Sequence, residues 1–299
     1  MTMTTSMTVT GPAARPRRSA TTGSAGARAE SDVSTSVGKA LSLLNAFLGT
    51  GNTALGVSEI ARRAGVAKST AHRLLIVLET HGLVERAGQG WLPGTHLFRL
   101  GNTVAICRPE RLRDRALPFM QDLYTETQTV VNLGVLHDTQ VLYVEKLMSR
   151  EPVNSPARVG GCMPVYCTAV GKAMLAYSPP ELFDRVTAAG MPQLTRRTIT
   201  TREGLALELA KVRQAGFALD QQESAVGLVC VAAPIVRDGH VLGALSLSLN
   251  VRRGLPQHYV PRLLKATRAL TELLGTQDYE PLEIPAPASK NTAYERRAG

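Results

Sequence analysis

The 299-residue chain lacks the long apolar runs that membranes require. Its longest apolar stretch, Leu228 to Val236, has nine residues, which is strand length and far short of the roughly 20 that span a bilayer. The N-terminus shows no apolar signal core. Cysteine is scarce: Cys107, Cys162, Cys167 and Cys230 form no Cys-x-x-Cys pair, and no histidine cluster completes a zinc pattern. A disulfide framework and a structural zinc site are thereby disfavoured, and free thiols in a reducing, cytoplasmic compartment are the simplest account. A phosphate loop is missing too. Gly171-Lys172 invites that reading, but Tyr166 stands where the first glycine belongs and Ala173 where Ser or Thr belongs. No internal repeat, nucleophile–base pair, metal cluster or cofactor motif is legible.

What is present is positive charge. Lys and Arg number 34 against 24 Asp and Glu, a formal net charge of +10. Such a balance suits a polyanion, nucleic acid above all, although Arg15, Arg17, Arg18 and Arg28 lie in a Ser/Thr/Ala/Gly tail. Texture divides the chain into five parts. Residues 1–33 read as a disordered tail, whose Arg/Ser/Thr bias also has a transit-peptide flavour. Residues 34–94 are mostly helical, 95–111 form a linker helix, 112–276 mix strands with helices, and 277–299 read as a second, proline-rich disordered tail.

In the first region Val37, Ala40, Leu41, Leu44, Phe47 and Leu48 fall on one face of a helix that Gly49 and Gly51 end. A second helix buries Ile60, Ala61 and Ala64, with Ser58 or a neighbour as its cap. Gly65 makes a turn. A third helix turns Leu74, Leu75 and Leu78 inward and stops at His81-Gly82. Two short extended runs then flank Ala87-Gly88-Gln89-Gly90, a hairpin that reads as a wing. This is the form of a helix-turn-helix whose second helix reads DNA. The contacting residues expected there are Lys68, Ser69, Thr70, His72 and Arg73. Arg62 on the preceding helix and Arg86 on the wing join them for phosphate contacts. A small helical domain with a solvated basic face is the plain alternative.

The linker helix is expected over Thr95 to about Arg108, with Pro109 and Pro118 marking breaks. In the second region strands are expected at Val130–Leu136, Gln140–Leu147, Phe217–Gln222, Leu228–Val236 and Val241–Asn250. Helices are expected at Thr168–Tyr177 and Thr200–Gln214, the latter with a capping box at Thr200 and Glu203, and another after Pro256. Hairpins with intervening helices predict an antiparallel sheet flanked by helices, an α+β sensor-like domain. The N–H groups of Thr168, Ala169 and Val170 are placed to hold an anion. Asp220, and Ser246 with Ser248 on one strand face, are candidate polar groups of a small-molecule pocket; a wet strand face accounts for them equally well.

The segments SVGKALSLLNAF, SEIARRAGVAKSTAHRLL, LETHGLVER, MPVYCTAVGKAMLA, VRQAGFALDQQE, GLVCVAAPIV and LGALSLSL resemble the IclR family of bacterial transcriptional regulators in order and spacing. The resemblance covers about residues 34–253. It implies a winged helix-turn-helix joined by a linker helix to a GAF-like effector domain. It also implies homodimers through the DNA-binding region, often tetramers, and palindromic double-stranded operators. The effector positions it implies are Met163, Ala169, Val170, Asp220, Cys230, Ser246 and Ser248. Family members often carry more acidic residues after the Asp220 position. Here Gln221 and Gln222 intervene before Glu223, which implies less negative charge at the pocket rim and a less polar or more acidic effector.

The expected function is therefore a ligand-responsive DNA-binding regulator, a repressor rather than an activator, sensing an organic or aromatic acid. The competing readings are a constitutive DNA-binding protein without a ligand and an enzyme with an accessory DNA-binding module.

Overall fold

A computed structural model describes residues 35–51, 53–104, 111–254 and 256–275. Both expected tails and Cys107 lie outside these residues. The N-terminal unit begins with helix α1 (Ser36–Asn45), capped by Thr35, whose hydroxyl accepts from the Gly38 amide. Helix α2 (Val57–Ala64) and helix α3 (Lys68–Thr80) follow, joined at Gly65. Gly65 has φ +68, a left-handed conformation that costs glycine little. Strands β1 (Val84–Ala87) and β2 (Gly90–Pro93) pair antiparallel, with Arg86 opposite Trp91. The core gathers Leu43, Phe47, Ile60, Ala71, Leu75 and Trp91.

Two local expectations fail here. The stripe that the spacing suggested is buried only in part: Phe47 is buried and Leu44 packs against the core, but Val37, Leu41 and Leu48 are 70%, 55% and 54% exposed, and Leu43 and Ala46, outside the stripe, turn inward. Spacing finds apolar faces but does not say which of two meets the rest of the chain. Helix α2 starts from Gly56 and has no side-chain cap, so Ser58 lies inside the helix rather than at its cap.

Helix α4 (Thr95–Gly101) is shorter than the expected linker helix, which would run on to Arg108. A turn at 102–104 follows it, and residues 105–110 are not described. Pro118 breaks nothing. It sits inside helix α5 (Leu112–Thr127), where Leu112, Ala116 and Met120 are buried on the sheet. That packing outweighs the about 3 kcal/mol an internal proline costs.

The larger unit is a six-stranded antiparallel sheet in the order β5-β4-β3-β8-β7-β6. Its strands are β3 (Val130–His137), β4 (Gln140–Leu147), β5 (Cys162–Pro164), β6 (Ala218–Gln221), β7 (Leu228–Arg237) and β8 (His240–Asn250). Asp238 and Gly239, both at positive φ, turn β7 into β8. One face is covered by α5 and α9 (Val260–Gly275). The other is covered by α6 (Ala169–Leu175), behind which pack α7 (Pro180–Ala188) and α8 (Arg202–Ala215). Strand β5 and helix α7 had no counterpart in the sequence reading. Helix α8 is capped by Thr201, whose hydroxyl accepts from the Gly204 amide. The Thr200–Glu203 box is thus displaced by one residue, since Thr201 is the residue with extended backbone at the helix start. The α+β architecture is the one expected from the sequence.

Candidate nucleic-acid interface and effector cavity

On α3 the buried side is Ala71, Leu75 and Leu78. At 100° per residue Ser69 and Arg73 point away from that side, exposed His72 and half-buried Thr70 flank them, and Lys68, in line with Ala71 and Leu75, is exposed as the first residue of the helix. No side chain caps this helix, so its first amides are open to a phosphate oxygen. Arg62 is exposed but engaged. Its Nε and Nη2 donate to the two Glu59 carboxylate oxygens at 2.8 and 2.6 Å, and Arg63 donates to the same carboxylate at 2.6 Å. These two guanidiniums hold the Glu59 carboxyl at about 2. Arg86 lies over the Trp91 ring, 4.1 Å from its centroid, with Glu79 at 3.6 Å. The seven sequence-derived residues thus share one surface in part only. Five lie on the first two turns of α3, while Arg62 and Arg86 have partners that the sequence reading overlooked. The i, i+3 and i, i+4 spacing of Glu59 with Arg62 and Arg63 was the available signal.

In the larger unit, register assembles a polar floor on the sheet face under α6. Asp220, Cys230, Ser248 and Val130 stand opposite one another in one cross-strand row. Ala232, Ser246, Asn132 and Lys146 form the next. Directly opposed residues share a face, so strands β6, β7 and β8 deliver Asp220, Cys230, Ser246 and Ser248 to one cavity. Met163 of β5 and Ala169 with Val170 of α6 line it from other sides. All seven residues singled out as effector contacts meet there. Thr168, singled out with Ala169 and Val170 for its N–H, lines it too, as do Tyr143, Ser224 and the segment Ser155–Ala157, which sequence reasoning did not assign to a pocket. Nothing in local spacing links that segment to the sheet.

Asp220 is buried at 1% exposure. Its Oδ1 accepts the Glu223 amide at 2.7 Å, and the Ser224 hydroxyl donates to Oδ2. Burial nonetheless pushes its carboxyl up. Thr168 caps α6 by accepting from the Gly171 amide at 3.1 Å. The rim-charge inference needs correction. Glu223 is not at a rim but buried, and the Lys172 ammonium donates to it at 2.6 Å. The Gln222 side chain is spent on the Gly227 amide. Lys172, which resembled part of a phosphate loop, is fully buried in this pair, with Glu208 at 3.2 Å.

The cavity volume is only about 10 Å³. A ligand larger than water therefore has to displace part of the wall. Burial pushes the thiols of Cys162, Cys167 and Cys230 up, opposite to what a nucleophilic thiolate needs. Among the described residues no group of His, Cys, Asp and Glu is arranged to hold a metal, and no helix is long and apolar enough to cross a membrane.

Residues 105–274 match the model of the bacterial transcriptional regulator IclR C-terminal domain, and residues 36–88 match the IclR helix-turn-helix domain. Among curated proteins, the HTH-type transcriptional regulator KdgR of Escherichia coli is 31% identical over 75% of this chain and 88% of its own length. The transcriptional repressor IclR of Escherichia coli is 30% identical, over 73% and 81%. Among solved structures, an IclR homolog from Microbacterium hydrocarbonoxydans complexed with 4-hydroxybenzoate is 29% identical, with a TM-score of 0.73, covering 81% of this chain and 100% of that one.

Proposed function

The chain belongs to the IclR family of bacterial transcriptional regulators, and on that premise we propose that it is a cytoplasmic, effector-controlled repressor sensing an organic or aromatic acid. The observation that carries the sensing half is the convergence of Met163, Ala169, Val170, Asp220, Cys230, Ser246 and Ser248 on one cavity from strands β5, β6, β7 and β8 and helix α6. Apolar walls with a few convergent polar groups suit a small metabolite. The homolog bound to 4-hydroxybenzoate supports an aromatic acid as the class to test first. The repressor sign is supported by the related transcriptional repressor.

DNA reading is assigned to Lys68, Ser69, Thr70, His72 and Arg73, with Arg62 and Arg86 on adjacent phosphates. The exposed apolar residues Val37 and Leu41 on α1, with Leu48 in the turn after it, support self-association through the DNA-binding unit. A homodimer would set two reading helices about 34 Å apart on a palindrome; a pairing of dimers into tetramers would use the larger unit. Effector binding would then favour one spacing of the two helices over the other.

A thermal-shift screen of organic and aromatic acids, starting with 4-hydroxybenzoate, tests the sensing half. A true effector at 100 times its Kd stabilises by about 2.7 kcal/mol, and Asp220→Asn should lower that response. An effector that binds the Asp220→Asn, Ser246→Ala double variant as tightly as the wild type would sink the assignment.

A further inference from the structure

Behind the cavity wall lies a buried amide that the effector reading does not use. Asn132 is 1% exposed, and its Nδ2 donates to Ser246 Oγ and to Ser248 Oγ, both at 3.1 Å. Its Oδ1 is buried without a partner. The Cys230 thiol also donates to Ser248 Oγ, at 3.2 Å. Ser248 Oγ thus accepts two hydrogen bonds and Ser246 Oγ one, and neither hydroxyl proton is given to a protein acceptor among the described residues. Both serines line the cavity, so their protons are left for whatever occupies it. The reverse amide orientation would orphan two N–H donors instead of one carbonyl, and an unsatisfied carbonyl is the better tolerated of the two.

Charge follows the same direction. Lys146 is the cross-strand neighbour of Asn132 on β4, and its ammonium donates at 2.7 Å to the carbonyl of Ala157, a wall residue. The one carboxylate on the floor, Asp220, is two strands away from Ser248, roughly 10 Å at the backbone. Donors and the cation occupy one side of the floor and the acceptor the other.

We propose that Asn132 is a specificity-determining positioning residue of the effector cavity: by filling an acceptor site on both Ser246 and Ser248 it turns them into a twin donor that selects a carboxylate. The proposal rests on the effector reading of the cavity. A hydroxyl or other donor on the same effector would face Asp220. Asn132→Asp reverses the polarity, because a carboxylate accepts the serine protons and repels the ligand. Asn132→Ala leaves the serines free to pair with each other.

Calorimetric titration of the full-length protein with 4-hydroxybenzoate, pyruvate and their amides tests this. The wild type is expected to prefer at least one acid over its amide. Asn132→Asp is expected to weaken that acid at least ten-fold and its amide less, so the acid-to-amide ratio collapses; a merely structural role would weaken both alike. Asn132→Ala gives the same reading if the Asp variant does not fold, as judged by its melting transition. An unchanged ratio in a folded variant overturns the proposal, as does a wild type that prefers the amides or binds none of the four. If Ser246→Ala loses acid binding while both Asn132 variants keep it, the cavity reading stands and the role of Asn132 falls. If all three bind like wild type, both fall.

Discussion

The Lys172 ammonium sits 2.6 Å from Glu223 Oε1, and both residues are buried. The pair ties α6, one wall of the cavity, to the turn after β6, which carries Ser224 and hydrogen-bonds Asp220 at the end of that strand. Removing one partner strands the other: Lys172→Met is expected to lose about 3–5 kcal/mol of stability, while replacing both with apolar residues is expected to cost far less. Urea unfolding of the single and double variants measures the difference, and additive losses would argue that the two do not act as a pair.

The same pair sets a pH dependence. Burial raises Glu223 to about 7, against the pull of Lys172, from an ordinary 4.5. A carboxyl raised in the folded state binds more protons there than in the unfolded chain between those values. Stability should therefore fall as pH rises from about 4.5 through 7. Glu223→Gln should flatten that slope in melts recorded across the window. Asp220 is also raised by burial and would leave a residual slope of the same sign.

On the DNA side, Arg73→Ala is expected to weaken operator binding by at least about 1 kcal/mol at fixed salt. Arg62 should matter less because Glu59 engages it. Glu59→Gln is expected to do the opposite of a loss: freeing two guanidiniums should tighten binding and steepen its dependence on salt. Fluorescence anisotropy over a salt series separates these effects, and an Arg73→Ala protein of unaltered affinity would rule out α3 as the reading helix.

Leu41→Glu puts a charge in the exposed stripe of α1. It should shift the oligomer to monomer in analytical ultracentrifugation without lowering the melting temperature of the isolated protomer, because Leu41 contributes little to the protomer's own core. A wild-type protein that is already monomeric at micromolar concentration would remove the basis for this interface.

Gly134 lies where β3 passes under α6. A Cβ there would stand 2.6 Å from Val141 Cγ1 and 2.8 Å from Val170 Cγ1. Gly134→Ala is expected to cost about 1–3 kcal/mol by overpacking. It should weaken effector binding as well, since Val170 lines the cavity. Retained affinity in the destabilised variant would show that the wall yields elsewhere.

Much of the fold was legible because it depends on local periodicity and turn chemistry. Gly65 at the helix turn, the Gly-rich wing and the Asp238-Gly239 hairpin are short-range signals, and the strands of the sheet were found within a few residues of their ends. The misses share a cause. Pro118 is tolerated inside α5 only because tertiary packing holds that helix, and Val37 and Leu41 are exposed because the unit closes on the other side of α1. Helix α7 and strand β5 are short elements with weak patterns. In the site, the effector residues were nameable one by one through resemblance. Glu59, Glu79, Asn132 and the Lys172–Glu223 pair were not, because a partner chosen by register or by packing leaves little mark in local spacing.

Periodicity, turns and charge are properties of the linear chain: two units of different texture, a helix with small polar and basic residues at its start, and a sheet of hairpins. Those properties are set within a few residues of each other. The tertiary structure alone decided which of those residues are neighbours. Antiparallel register brought Asp220, Cys230, Ser248, Asn132 and Ser246, spread over more than a third of the chain, onto one sheet face. Burial then made their hydrogen bonds matter, because a polar group removed from water must find its partner in the fold or in a ligand.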